Sequence, residues 1–346
     1  MPAPICPAPI TPIVFMETLL FSGRPYRRAA HSARVAAMLS LFLAFVALAQ
    51  PQEQVFDDWA VACDNVRRCE ATALQAPEQF GDTPSQMLLT REAGGAFSIA
   101  IDPADLVRGP VTVSIDGKQV ASGTIGENYR VSGAAADALA KAMASGKWME
   151  IQGSGKTLGR ISLSGMVETL RYIDSAQRSG PLALPGVPAL RTTPGAAESP
   201  GKALLGTLAR LGDCDLSMTP ADLPVERYRL DATTTLVLIP CGTGAYNYNA
   251  AAFVLRGGKG APAEFDVMPD WMEGDGPAIL TNASFATVEG PVLTSSAKGR
   301  GIGDCGTSQS WVWDGSRFRM IEARVLGECR GSVNWLTVFR ATPNWR

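Results

Sequence analysis

Chemistry at neutral pH usually calls on histidine, and this sequence has one, His31. It lies in a stretch expected to be removed from the mature chain. An imidazole titrates near ~6.5, which makes it the common general base. Without one, a Ser-His-Asp triad, a Cys-His pair and a His-ligated zinc are excluded. Nucleotide loops are missing too: there is no G-x-x-x-x-G-K-[ST], and no G-x-G-x-x-G between a strand and a helix. The glycine-rich RGIGDCG around Cys305 reads as a turn. Carboxylates are what remain for catalysis. Two of Asp266, Asp270, Glu273, Asp275 and Asp304, held roughly 5–10 Å apart in one cleft, would make a glycan hydrolase. Acidic loop residues are more often solvated surface, and DWMEGDG lacks the alternating ligands of a calcium loop. The reading is therefore non-enzymatic, with no cofactor and no metal.

The cysteines carry a different chemistry. Cys6 precedes the expected cleavage point, and Cys63, Cys69, Cys214, Cys241, Cys305 and Cys329 follow it. An even count in an exported chain reads as a disulfide framework, and the spacing suggests pairing in sequence order, with pairing across the chain still open. No C-x₂-C or C-x₄-C spacing favours a thiolate metal site.

Two segments offer binding chemistry. Tyr246, Asn247, Tyr248 and Asn249 alternate flat aromatic faces with amides after the Gly-rich turn at Cys241, a combination suited to protein or sugar recognition. Trp311 and Trp313 stand two apart, on one face of a strand, opposite Phe318 and Met320 of a hairpin. Each pattern has a plainer reading, as sheet-edge cover for the tyrosines and as core for the tryptophans.

These residues need elements to position them. Arg24, Arg27, Arg28 and Arg34 precede the apolar run Val35 to Leu48 and the small-residue site Ala47-Leu48-Ala49, the order of a secretory signal cleaved after Ala49. The run, about 14 residues, is short for a ~30 Å hydrocarbon core, and no later segment is apolar enough to span a bilayer. The leader takes four arginines and one glutamate with it, moving the formal charge from −2 to −5. That acidity, with no basic cluster, argues against nucleic acid.

Within the mature chain, SGPLALPGVPALRTTPGAAESPGK at 179–202 reads as a semi-extended linker. It divides a first domain, 53–178, from a second, 203–346. The first reads as a sheet with two packed helices. WAVAC, CEATAL and FSIAI alternate as strands, and VTVSID-GKQVASG is a hairpin turning at Asp116-Gly117. Helices are expected from Ser132 through AAADALAKAMA and over Met166 to Gln177, the latter with Met166, Leu170 and Ile173 on one stripe. After ALLGTLARL, stopped by Gly212, the second domain reads as mostly antiparallel β, with a hairpin at Asp314-Gly315. The fold class is thus β-rich (α+β).

FDDWAVACDNVRRCEA and, later, GRISLSGMVETLRYID resemble proteins of the invasion-associated locus B type. Adding PCGTGAYNYN and GIGDCG…WVWDG…ECRG, the whole mature chain is similar to the bacterial family known as domain of unknown function 1176. The resemblance implies an exported Gram-negative protein, periplasmic or outer-membrane associated, and brings no catalytic residues. The expected function is a non-enzymatic module binding an envelope protein or glycan through the second domain. The alternatives are a carboxylate-dependent glycan hydrolase and a purely structural envelope component.

Overall fold

Alternating and apolar segments of five to eight residues dominate the sequence after residue 53, and they pair as antiparallel strands. The computed structural model describes residues 53–346 except 106–107, 127, 192–195, 217–223, 268–275 and 288–289. The expected export signal lies outside the described residues, as do Asp270, Glu273 and Asp275.

Strands β1 (Gln54–Phe56), β2 (Trp59–Cys63), β3 (Cys69–Ala73), β4 (Gln86–Arg91) and β5 (Phe97–Asp102) lie side by side in chain order. The hairpin β6 (Gly109–Ile115) and β7 (Lys118–Ile125) leaves that sheet, and β8 (Tyr129–Ser132) returns to pair with β5. Asp116 and Gly117 both have positive φ, 48° and 79°, as the tight turn between β6 and β7 demands. Helix α1 (Ala134–Met143) follows; β9 (Trp148–Gly153) and β10 (Lys156–Ser162) then join the hairpin in a second sheet, ordered β10-β9-β6-β7. Helix α2 (Met166–Gln177) packs on β1 and β2. The first half is therefore two sheets and two helices rather than one covered sheet. Helix α1 begins after Ser132, because Ser132 is still paired with Ser98 in the ladder.

The Pro/Gly-rich stretch is partly ordered into the fold. β11 (Gly186–Ala189) pairs in parallel with the last strand, β22 (Thr342–Trp345). Between them come α3 (Lys202–Leu211), β12 (Glu226–Arg229), β13 (Thr234–Thr243), β14 (Tyr248–Arg256), β15 (Lys259–Pro262), β16 (Ile279–Thr281), β17 (Ser284–Ala286), β18 (Val292–Lys298), β19 (Gly306–Trp313), β20 (Phe318–Leu326) and β21 (Leu336–Arg340). Strands β12 to β16 form one antiparallel sheet and β17 to β21 another. Helix α3 covers the outer face of the former, with Leu208 against Val237, Phe253 and Leu255.

WAVAC is buried on both sides. Trp59, Val61 and Cys63 enter the core of the first half, whereas Ala60 and Ala62 join the cluster of Leu236, Trp311, Phe318 and Val338. Small side chains at 60 and 62 let the second half approach β2 closely, and a strand covered on both faces reads as a continuous apolar run. Polar contacts surround this packing. The Arg340 guanidinium pairs with Asp64, and Asn65 bonds the Arg340 backbone through both Oδ1 (2.7 Å) and Nδ2 (3.0 Å). The Thr337 N–H donates to Glu70 at 2.7 Å. Disulfides join Cys63 to Cys69, Cys214 to Cys241 and Cys305 to Cys329.

Candidate functional site

Pairing across β18, β19 and β20 brings six polar side chains onto one face in two rows. Thr294 lies opposite Ser310, and Ser310 opposite Glu322; Ser296 lies opposite Ser308, and Ser308 opposite Arg324. Neighbours in a row are ~4.8 Å apart and the rows ~7 Å apart. Period-2 alternation puts Leu293, Trp311 and Ala323 on the reverse face, inside the core. The result is a shallow tray of about 480 Å³, closed at one side by Gly303, Val333 and Trp335. Within it the Thr294 and Ser310 hydroxyls are 2.9 Å apart, and Arg324 Nη2 meets Glu322 Oε1 at 2.8 Å.

Trp335 is held where it stands. Its Nε1–H donates to the Gly303 carbonyl at 2.9 Å, and its ring packs over Gly306. A Cβ at 306 would fall 2.8 Å from that ring and 2.1 Å from the Ala297 carbonyl, at a φ of +150°. Only glycine fits there. The loop 299–303 is anchored by Asp304, whose buried carboxylate accepts from the Arg300 guanidinium and from the Gly331 N–H at 2.7 Å. The Arg300 bond, opposed by burial and helped by Gly331, holds the Asp304 pKa below the usual carboxylate range.

The tyrosine-amide segment contacts the same loop. Tyr246 is 42 % exposed, and its hydroxyl donates to the Gly299 carbonyl at 3.0 Å. Asn247 is committed to structure: its Nδ2 donates to the Lys298 carbonyl, while its Oδ1 accepts from the Lys298 N–H and from Asn282. Asn249 Oδ1 accepts from Thr281 at 3.0 Å, and half-buried Tyr248 packs against the second core. Burial, joined by the Glu226 charge, raises the Tyr248 phenol above its ordinary pKa.

The tryptophan pair offers no surface. Trp311 and Trp313 are 0 % and 1 % exposed, their indole N–H groups donating to the Asp266 carbonyl (2.6 Å) and to Asp231 Oδ2 (2.9 Å). They are core because sheet β12–β16 covers that face. Of the acidic candidates described, Asp266 is paired with Arg317 and Arg319, and Asp304 is buried as above. Neither lines the tray. Sequence reading concentrated on the tryptophan face of β19 and passed over its reverse. The signal there is weak: Glu322-Ala323-Arg324 alternates, but Thr294-Ser295-Ser296 and Ser308-Gln309-Ser310 are polar throughout, so only the strand registers show which side chains share the tray.

A family model described as "Protein of unknown function (DUF1176)" matches residues 53–183 and again 181–342. The chain belongs to this family. Among proteins similar to this DUF1176 chain, the uncharacterized protein YpfG of Escherichia coli (strain K12) is 25% identical over 336 residues, covering 84% of this chain and 93% of YpfG. Invasion associated protein B from Bartonella henselae, known from a crystal structure, matches 37% of this chain and 99% of its own at 15% identity, with a TM-score of 0.30.

Proposed function

We propose that this DUF1176 protein is a non-enzymatic glycan-binding module of the cell envelope, and that the tray on β18–β20 is its contact surface. The observation that carries this reading is the two-by-three array of hydroxyls and one ion pair beside a fixed indole. Sugars present clustered hydroxyls and a flat C–H face. Serine and threonine hydroxyls both donate and accept, the Glu322–Arg324 pair adds charge-assisted bonds, and Trp335 supplies an apolar face with its polar edge already satisfied. Tyr246 extends the surface, since it and Trp335 are bonded to the same loop, 299–303. Three disulfides suit folding in an oxidising compartment, and among the described residues no helix is long and apolar enough to cross a membrane.

The test is retention of the oxidised protein on purified peptidoglycan, on lipopolysaccharide and on detergent-solubilised membrane proteins, run separately. Saturable retention by one glycan is expected, falling about tenfold for Trp335→Ala and for Arg324→Ala, the loss of ~1.4 kcal/mol of contact, and less for Tyr246→Ala. Unchanged retention by both tray variants refutes the assignment. Retention by the membrane proteins alone replaces the glycan with a protein partner.

A further inference from the structure

Val333 lines the tray beside Trp335 and is 55% exposed. A single valine in water is ordinary, but this one is clamped. Gln86, from β4, accepts the Val333 N–H through Oε1 at 2.9 Å and donates through Nε2 to the Gly331 carbonyl at 2.8 Å. Between them, the Ser332 hydroxyl is bonded to Thr72 at 2.7 Å. The first half of the chain thus holds an apolar side chain in place at the tray wall.

The hydroxyls nearest that wall are free. Gly306 lies under the Trp335 ring and precedes Ser308 on the same face of β19, so the row Ser296, Ser308 and Arg324 is the one beside the indole. In the far row Thr294 and Ser310 are bonded to each other. In the near row Arg324 is paired with Glu322. Among the described residues the Ser296 and Ser308 hydroxyls have no partner within the protein. Each can donate or accept.

An indole, one fixed apolar side chain and two adjacent free hydroxyls fit a sugar that carries an amide ending in a methyl group. A plain hexose would set a hydroxyl against Val333, which offers it no hydrogen bond. A lipid chain would need more apolar surface than one valine and one indole provide. We propose that the ligand is an N-acetylated amino sugar, an assignment that rests on the glycan-binding reading of the tray. The pyranose C–H face lies on Trp335, the acetyl methyl on Val333, and the amide bonds to the Ser296–Ser308 row.

The probes are N,N′-diacetylchitobiose and cellobiose, titrated calorimetrically into the full oxidised protein. They share one linkage and differ in carrying acetamido groups or hydroxyls at the same ring carbon. Wild type is expected to bind diacetylchitobiose about tenfold or more tightly, as one methyl contact and one hydrogen bond imply. Val333→Thr, which puts a hydroxyl in place of a methyl, should cut that ratio about fourfold. The double variant Ser296→Ala, Ser308→Ala should cut it about fivefold. Val333 is exposed and the serines are half-buried, so these changes spare the fold. Lys156→Ala, whose side chain is paired with Asp105 in the first half, keeps the wild-type ratio. Diacetylchitobiose binding no tighter than cellobiose, or a ratio unchanged in the tray variants, overturns the acetamido assignment. The glycan reading survives that result if Trp335→Ala still weakens both sugars. If neither disaccharide binds at millimolar concentration, the assignment falls alone where peptidoglycan or lipopolysaccharide is still retained through Trp335, and with the glycan reading where neither is.

Discussion

Removing Arg330 should cost this protein more than any exposed charge would. Its Nε and Nη2 donate to the Gln75 carbonyl at 3.0 and 2.6 Å, its Nη1 donates to the Asp57 carbonyl at 2.6 Å, and its Nη2 also pairs with Asp58. The two charged side chains are only 18% and 11% exposed, which takes the pair out of the surface class worth ~0–1 kcal/mol. Arg330→Ala leaves the Asp58 carboxylate buried with Ser162 as its remaining side-chain donor. Stranding a buried charge costs about 3–5 kcal/mol, and the residual exposure places the expected loss near the lower end, at about 3 kcal/mol. The assay is guanidinium denaturation followed by tryptophan fluorescence, with Asp58→Ala and the double variant completing a cycle. The double variant should be more stable than the sum of the single losses predicts, by at least about 1 kcal/mol. A loss below about 1 kcal/mol for Arg330→Ala, or strict additivity in the cycle, would refute the reasoning.

Two further outcomes concern the Cys305–Cys329 disulfide and Asp314. Replacing Cys305 and Cys329 by serine reopens a loop of sequence separation 24, worth about 3.5 kcal/mol by chain entropy. Because Arg330 and Gly331 adjoin Cys329, the double serine variant should also give up most of the Arg330–Asp58 coupling when the cycle is repeated in it; full retention of that coupling would contradict this. Acid should unfold the protein partly through Asp314. Burial raises its pKa, but the N–H of Arg317, the Ser316 hydroxyl and N–H, and Arg319 outweigh that and bring it down to about 2. A lowered carboxylate pKa contributes stability above the unfolded value, ~3.9, that is lost as pH falls toward 2. After solvent screening the contribution is roughly 1 kcal/mol, so Asp314→Asn should flatten the stability profile between about pH 4 and 2 and leave its shape above pH 5 unchanged.

Local signals were legible in the sequence wherever partners are near in the chain. The apolar stripe Met166–Leu170–Ile173 located α2, and Asp116-Gly117 located the hairpin, because a helix face and a two-residue turn are set within a few residues. The hairpin at Asp314-Gly315 was also readable, although it turns differently: only Gly315 has positive φ, and Asp314 Oδ1 closes the turn by accepting from Ser316 and Arg317. What escaped depends on partners far away. Ala60 and Ala62 have the same local pattern whether β2 faces water or the second half. The pairing of β11 with β22 joins a proline-rich segment to the chain end, where composition suggests only a spacer. The tray needed the registers of three strands at once, and each hydroxyl taken singly looks like solvated surface.

The second face of the first sheet also constrains the order in which the chain can mature. Gln75 and Arg330 are 255 residues apart, and β11 waits for β22. A ribosome delivers β1–β5 long before it delivers the residues that seal them. Until then Ala60, Ala62 and Leu74 stay uncovered, and contacts of such sequence separation form slowly. This architecture therefore favours a chain kept from settling until it has been made in full, with closure of its last thirty or so residues as the late, committing step.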